Sequence, residues 1–218
     1  MTARQDILQR VRQGLGKEDR QVRRQRVEAR LAARVGVAQG PRARAPDDLV
    51  AHFQRRAEAL ASTVAVVAGW QDVPRALAAY LDQRHLPRHG AVWPSLPLLD
   101  WAAAGLEMRL ERASSQDPVG VSGCFCAIAE TGTLMLVGEA GQHGLTSLLP
   151  ETHVALVPVS ALVWSMEEGW ARLRQHSPAL PRAVNFFYGP SRTGDIEQTL
   201  VLGAHGPCRV HIILLKDV

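Results

Sequence analysis

Five short apolar runs constrain this chain more than any other feature: "TVAVVAG" from Thr63, "TLMLVGE" from Thr133, "HVALVPV" from His153, "AVNFFYG" from Ala183 and "CRVHIILL" from Cys208. Each is too short for an ordinary helix and is apolar at neighbouring positions rather than at every second one, which is how a strand buried on both faces reads. "CFCAIAE" from Cys124 precedes the second run and pairs with it around a Thr131-Gly132 turn, while "AVW" and "LEMRLE" read as further short strands. Helical patterns alternate with these runs. One helix is capped near Asp47 and carries Leu49, Val50, Phe53 and Leu60; "DVPRALAAYLDQRH" has Asp72 as its cap and Pro74 in its first turn; Ser165 and Glu168 have capping-box spacing ahead of a helix through Leu173. Strands alternating with helices predict an α/β layered domain with a mostly parallel sheet.

The first 45 residues are of another kind. Thr2 and Gln5 can cap a helix with Ile7, Leu8, Val11 and Leu15 at helical period, and residues 20–35 form a second helical pattern with a thin seam of Val22, Val27 and Leu31. "GVAQGPRARAPDD", with Gly36, Gly40, Pro41 and Pro46, reads as a linker, so the expected organisation is a basic helical arm over residues 1–45 and one α/β domain over 46–218. The arm holds twelve Lys and Arg against four Asp and Glu, the remainder thirteen against seventeen. Such an arm suits a solvated helix face or a contact with a partner protein, and it lacks the interleaved aromatics that favour single-stranded nucleic acid. No apolar run is long enough to span a bilayer, and the polar start lacks the apolar stretch of a signal peptide, so the sequence points to the cytoplasm and away from a membrane. Cys124, Cys126 and Cys208 are an odd set of three, which does not suggest a disulfide framework.

Ligands of open α/β sheets settle beyond the carboxyl ends of strands, and three polar corners occupy strand ends here. "AETGT" supplies Glu130, able to act as acid, base or nucleophile, with Thr131, Gly132 and Thr133 in a turn whose glycine lets backbone approach a ligand; the competing reading is a hairpin whose threonines cap its turn. "GPSRTGDIE" gathers Ser191, Arg192, Thr193, Asp195 and Glu197. Ser191 and Thr193 are placed to cap a following helix whose free N–H groups, with Arg192, would hold an anion, while Asp195 and Glu197 would repel one; the mixture suits a ligand with an anionic end and a hydroxyl end. "GAHGP" offers His205 between glycines, as a general base, a ligand binder or a satisfied loop histidine. Motifs for dinucleotides, P-loop triphosphates, iron–sulfur clusters and zinc do not occur, and His176 reads as helix-end surface.

Four blocks together, "AIAETGTL", "LLPETHVALV", "GPSRTGDIE" and "GAHGP", resemble the lactate-utilisation protein C family, also called the LUD domain, over roughly residues 118–216. The resemblance implies a three-layer α/β/α sandwich like that of the phosphosugar-isomerase and CoA-transferase superfamily. It implies work beside iron–sulfur subunits in oxidising L-lactate to pyruvate, with the clusters in those partners and no cofactor in this chain. It carries Glu130, Thr131, Thr133, Ser191, Arg192, Thr193, Asp195, Glu197 and His205 over as site residues; Gly194 and Ala204 depart from the family's usual Ala and Val. A small carboxylate would then lie on Arg192, with His205, Glu130 and Asp195 as candidate catalytic groups. Two alternatives stand beside this: an independent isomerase or acyl-transfer enzyme using Glu130, and an assembly protein docking through its arm.

Overall fold

A computed structural model describes residues 3–14, 19–33, 43–138, 144–177, 181–193, 201–203 and 205–217. The chain divides into two compact units, residues 1–44 and 45–218. The first contains helices α1 (Ala3–Gly14) and α2 (Arg20–Ala33). Among the described side chains, Ile7, Leu8, Val11, Val22 and Val27 of their apolar seams are open to solvent, Ile7 at 60% and Val27 at 58% exposure, so packing of these residues adds little to the helices. The second unit contains α3 (Leu49–Ala59), α4 (Val73–Gln83) and α5 (Met166–His176). Its strands, in chain order, are β1 (Thr63–Val67), β2 (His89–Val92), β3 (Glu107–Arg109), β4 (Val119–Ser122), β5 (Cys126–Ile128), β6 (Thr133–Val137), β7 (Thr152–Pro158), β8 (Leu162–Val163), β9 (Val184–Phe187), β10 (Arg192–Thr193), β11 (Val201–Leu202) and β12 (Arg209–Leu215).

Six strands form a wholly parallel sheet in the order β1-β12-β7-β4-β2-β3. β7 and β12 run side by side from Thr152 opposite Arg209 to Pro158 opposite Leu215, and form its spine. Alternate residues of these strands serve opposite faces. Val154, Leu156, Ile213 and Leu215 pack with Val73, Leu77 and Leu81 of α4, whereas Ala155, Val157, Ile212 and Leu214 pack with Phe53 and Ala57 of α3. Each fully buried leucine here contributes about 1.5–3 kcal/mol of transfer free energy. The result is the expected α/β architecture, a mostly parallel sheet flanked by helices.

Three local details differ from the sequence reading. Asp48, not Asp47, caps α3, its carboxylate accepting the Ala51 N–H at 2.9 Å. β4, "VGVS", has no long apolar run to announce it, yet all four residues are buried between β2 and β7. The "CFCAIAE", "TLMLVGE" and "AVNFFYG" strands do not join the parallel sheet. They form a second sheet, β8-β5-β6-β9, with antiparallel β5–β6 and β6–β9 pairs. One face, with Ala127, Leu134, Leu136 and Phe187, packs on the α3 side of the main sheet; the other, with Cys126, Met135 and Val137, is covered by Leu173 of α5. A four-residue hairpin loop, residues 129–132, joins β5 to β6 and forces them antiparallel, which a wholly parallel sheet cannot accept.

Candidate functional site

The first polar corner is the turn between β5 and β6. Gly132 has φ +72°, its N–H bonds the Ile128 carbonyl at 2.9 Å, and a Cβ there would lie 2.7 Å from the Ala57 N of α3. No other residue fits. Thr131 and Thr133 share a hydroxyl–hydroxyl hydrogen bond of 2.6 Å, so both are engaged in shaping the turn. The Glu130 backbone N–H donates to the Trp164 carbonyl at 3.0 Å, while its half-buried carboxylate makes no hydrogen bond with another described residue.

The second and third corners form one structure. After β9 the chain turns at Gly189, with φ +88° and no room for a Cβ beside the Leu60 carbonyl. The Ser191 N–H then donates to the Pro207 carbonyl at 2.8 Å, and its own carbonyl accepts the Gly203 N–H at 2.9 Å. Arg192 and Thr193 pair antiparallel with Leu202 and Val201. Residues 192–193 are therefore one strand of an antiparallel pair, and the backbone N–H and carbonyl of Ser191 are taken by Pro207 and Gly203. The helix expected after Thr193, and with it Asp195 and Glu197, lies outside the described residues. Gly206 sits so close that a Cβ there would be 3.4 Å from the Ser191 Cβ, which seats the His205 loop against the Arg192 arm. Arg192 and His205 are both exposed on this loop pair, and Thr193 is half-buried.

The first corner lies at the same end of the second sheet, because Leu134 pairs with Phe187 and both Gly132 and Gly189 abut the end of α3. No hydrogen bond or ion pair links Glu130 to Arg192 or His205 among the described residues.

A separate crevice opens at the carboxyl ends of the parallel strands, with a volume of about 350 Å³. Trp70 follows β1, Trp93 and Ser95 follow β2, Gly123 to Phe125 follow β4, Pro158 ends β7, and α5 contributes Arg172 and His176. Arg172 and His176 are four residues apart and so share a helix face. Both reach Phe125: the Arg172 Cζ lies 5.9 Å from its ring centroid, and the His176 ring meets it edge-on at 5.4 Å. Arg172 also donates to the Ser160 carbonyl at 3.1 Å. The Cys124 thiol donates to the Cys126 carbonyl at 2.9 Å, and burial raises its pKa far above the ordinary thiol range, so it stays protonated and is a poor nucleophile. Beneath the crevice, the Ser122 hydroxyl donates to the Gly123 carbonyl at 3.0 Å and accepts from His153 Nε2–H at 2.7 Å. Burial pushes the His153 pKa down to about 3, and its Nδ1 meets no partner among the described residues.

The family described as LUD domain matches residues 50–215. The chain belongs to the LUD domain family. Relatives named lactate utilization protein C are 34% identical in Bacillus licheniformis and 35% in Bacillus subtilis, each over 130 residues, 57% of this chain and 54% of the relative. The Shouchella clausii protein of that name is 36% identical over 126 residues, covering 57% of this chain and 54% of the relative. The matched stretch thus spans about half the length of these relatives. In fold, the chain is similar to a DUF162 family protein from Deinococcus radiodurans, with a TM-score of 0.53 at 21% identity over 77% of this chain and 96% of that one.

Within this LUD domain, sequence reasoning reached the loop pair because its polar residues are contiguous. It missed the crevice, whose members come from five separate segments. His176, read as helix-end surface, is exposed and also lines that crevice. The available signal was the position of Trp70 and Trp93 just beyond apolar strands, although β1 is a half-exposed edge strand rather than one buried on both faces. Among the described residues no group of three His, Cys, Asp or Glu side chains could hold a metal, and no helix is long and apolar enough to cross a membrane.

Proposed function

We propose that this chain serves L-lactate utilisation as a subunit that binds a small 2-hydroxy or 2-oxo acid, while iron–sulfur partner proteins carry the electrons as L-lactate is oxidised to pyruvate. Family membership and the name of the relatives support the process. One observation carries the binding role: Ser191 is held between Gly203 and Pro207, so that Arg192 of β10 and His205, in the loop before β12, belong to one loop pair. A guanidinium offers a carboxylate two parallel N–H donors, and an imidazole can exchange a hydrogen bond with the neighbouring hydroxyl or oxo group. Thr193 and Ser191 add hydroxyls beside them. Glu130 belongs to the adjoining corner and would act on the bound acid only if that acid bridges the two.

Calorimetric titration of the full chain with L-lactate and with pyruvate tests this. Saturable heat that disappears in Arg192→Ala, with an unchanged unfolding midpoint, is the expected result. Heat that persists in Arg192→Ala would place the acid elsewhere. Turnover of lactate by the purified chain with an added electron acceptor and no partner would overturn the division of labour.

A further inference from the structure

The crevice at the carboxyl ends of β1, β2, β4 and β7 has a chemistry of its own. Its position is where the chain of an open parallel sheet reverses its order: from β1 at one edge the chain crosses to β2 and β3 at the other, then returns inward through β4, β7 and β12. Such reversals leave a gap between strand ends that side chains from several loops surround. Here the gap has a volume of about 350 Å³, within the range of small-molecule sites.

Its lining is selective in two respects. Arg172 and His176 supply the ionisable nitrogens, and none of the described residues that line the space is Asp or Glu. The guanidinium of Arg172 in a lining without described carboxylates favours an anionic guest. Arg172 spends one donor on the Ser160 carbonyl, and a guanidinium has five. Trp70, Trp93 and Phe125 supply aromatic surface, with Leu96, Leu156 and Pro158 completing an apolar wall. Flat apolar groups pack on such walls edge-on or offset. The floor is rigid: Trp93 and Leu156 are buried, and the Gly123 carbonyl is tied through Ser122 to His153 in the core.

We propose that this crevice is a binding site for a small aromatic carboxylic acid, its carboxylate on Arg172 and His176 and its ring against Trp70, Trp93 and Phe125. The site is distinct from the loop pair of Arg192 and His205. With Cys124 held as a hydrogen-bonded thiol, it binds its guest without a covalent step.

The test uses the full chain with three probes, followed by tryptophan fluorescence and calorimetry: phenylacetate, its uncharged isostere phenylacetamide, and acetate, which lacks the ring. Phenylacetate should bind saturably and perturb the tryptophan emission, with phenylacetamide and acetate weaker by at least about tenfold, the order expected when a charge-assisted bond or a buried ring is lost. Arg172→Gln should weaken phenylacetate by a similar factor. His176→Gln, at an exposed helix end, serves as the second variant should Arg172→Gln shift the unfolding midpoint, and should lower affinity severalfold. Arg192→Ala should leave phenylacetate binding unchanged, which separates this site from the loop pair. Equal binding of phenylacetate and phenylacetamide, unaltered phenylacetate affinity in both crevice variants, or no phenylacetate binding at millimolar concentration would each overturn the proposal.

Discussion

The crevice around Trp93 and Arg172 and the loop pair around Ser191 and His205 both collect polar groups, but they are secured in opposite ways. The crevice stands on the core: Trp93 is 3% exposed, Leu156 is fully buried, and Ser122 and His153 form a buried polar pair below it. The loop pair stands on backbone hydrogen bonds from Ser191 and on two glycines that no other residue can replace. Side-chain burial gives the first its rigidity, and main-chain geometry gives it to the second. Substitutions should therefore damage the two regions by different routes.

Removing the indole makes the strongest break. Trp93→Ala empties a buried volume at the junction of the crevice and the second sheet, and should cost about 3–5 kcal/mol by denaturant unfolding. A loss under 1 kcal/mol would mean that the crevice wall is not part of the core.

Acid reaches the core side of the comparison selectively. Burial lowers the His153 pKa to about 3 and that of His211 to about 4, while an unfolded histidine titrates near 6.5. The unfolded chain thus binds protons that the folded chain refuses. Stability is fully present above about pH 6.5 and falls as the pH drops below it, by up to about 1.4 kcal/mol per pH unit for each histidine. Denaturant midpoints at pH 7 and pH 5 check this, and His153→Gln should flatten the slope.

Ser122→Ala sharpens the contrast further. It strips His153 Nε2–H of its acceptor inside the core, an omission of about 1–3 kcal/mol, and frees the Gly123 carbonyl. Gly189→Ala is the matching experiment on the loop pair. A Cβ would meet the Leu60 carbonyl at a positive φ, so a loss of at least about 1 kcal/mol is expected together with weaker lactate binding. If Gly189→Ala were silent, backbone geometry would not be what holds that region.

Arg192→Ala should have the smallest effect on stability, within about 0.5 kcal/mol, because the side chain is exposed. Its effect belongs to ligand titration alone.

Much of this architecture was legible beforehand. The strand at Thr63, the Ser165 cap and Pro74 of α4 follow from local chemistry, the strands read from His153 and Cys208 start within one residue of those positions, and Asp72 stands just before α4, although its carboxylate makes no cap bond. The β5–β6 turn was also readable, since Gly132 next to two threonines leaves few other conformations. The assignment of β5, β6 and β9 to a second sheet was not readable. An apolar run buried on both faces looks the same in either sheet, and only the partner strand distinguishes them. The pairing of Arg192 and Thr193 with Leu202 and Val201 was hidden for a related reason: the hydrogen bonds that hold Ser191 beside it come from Gly203 and Pro207, more than ten residues along the chain.

By itself the sequence determined the alternation of strands and helices, the contrast between a basic arm and an apolar domain, and the polar motif that carries Arg192, because each depends on residues that are neighbours in the chain. The tertiary structure alone decided which strands share a sheet, which polar loops touch and where the aromatic, cationic crevice opens. Those outcomes depend on burial and pairing between segments tens of residues apart, and local residue patterns do not encode which distant surface will cover them.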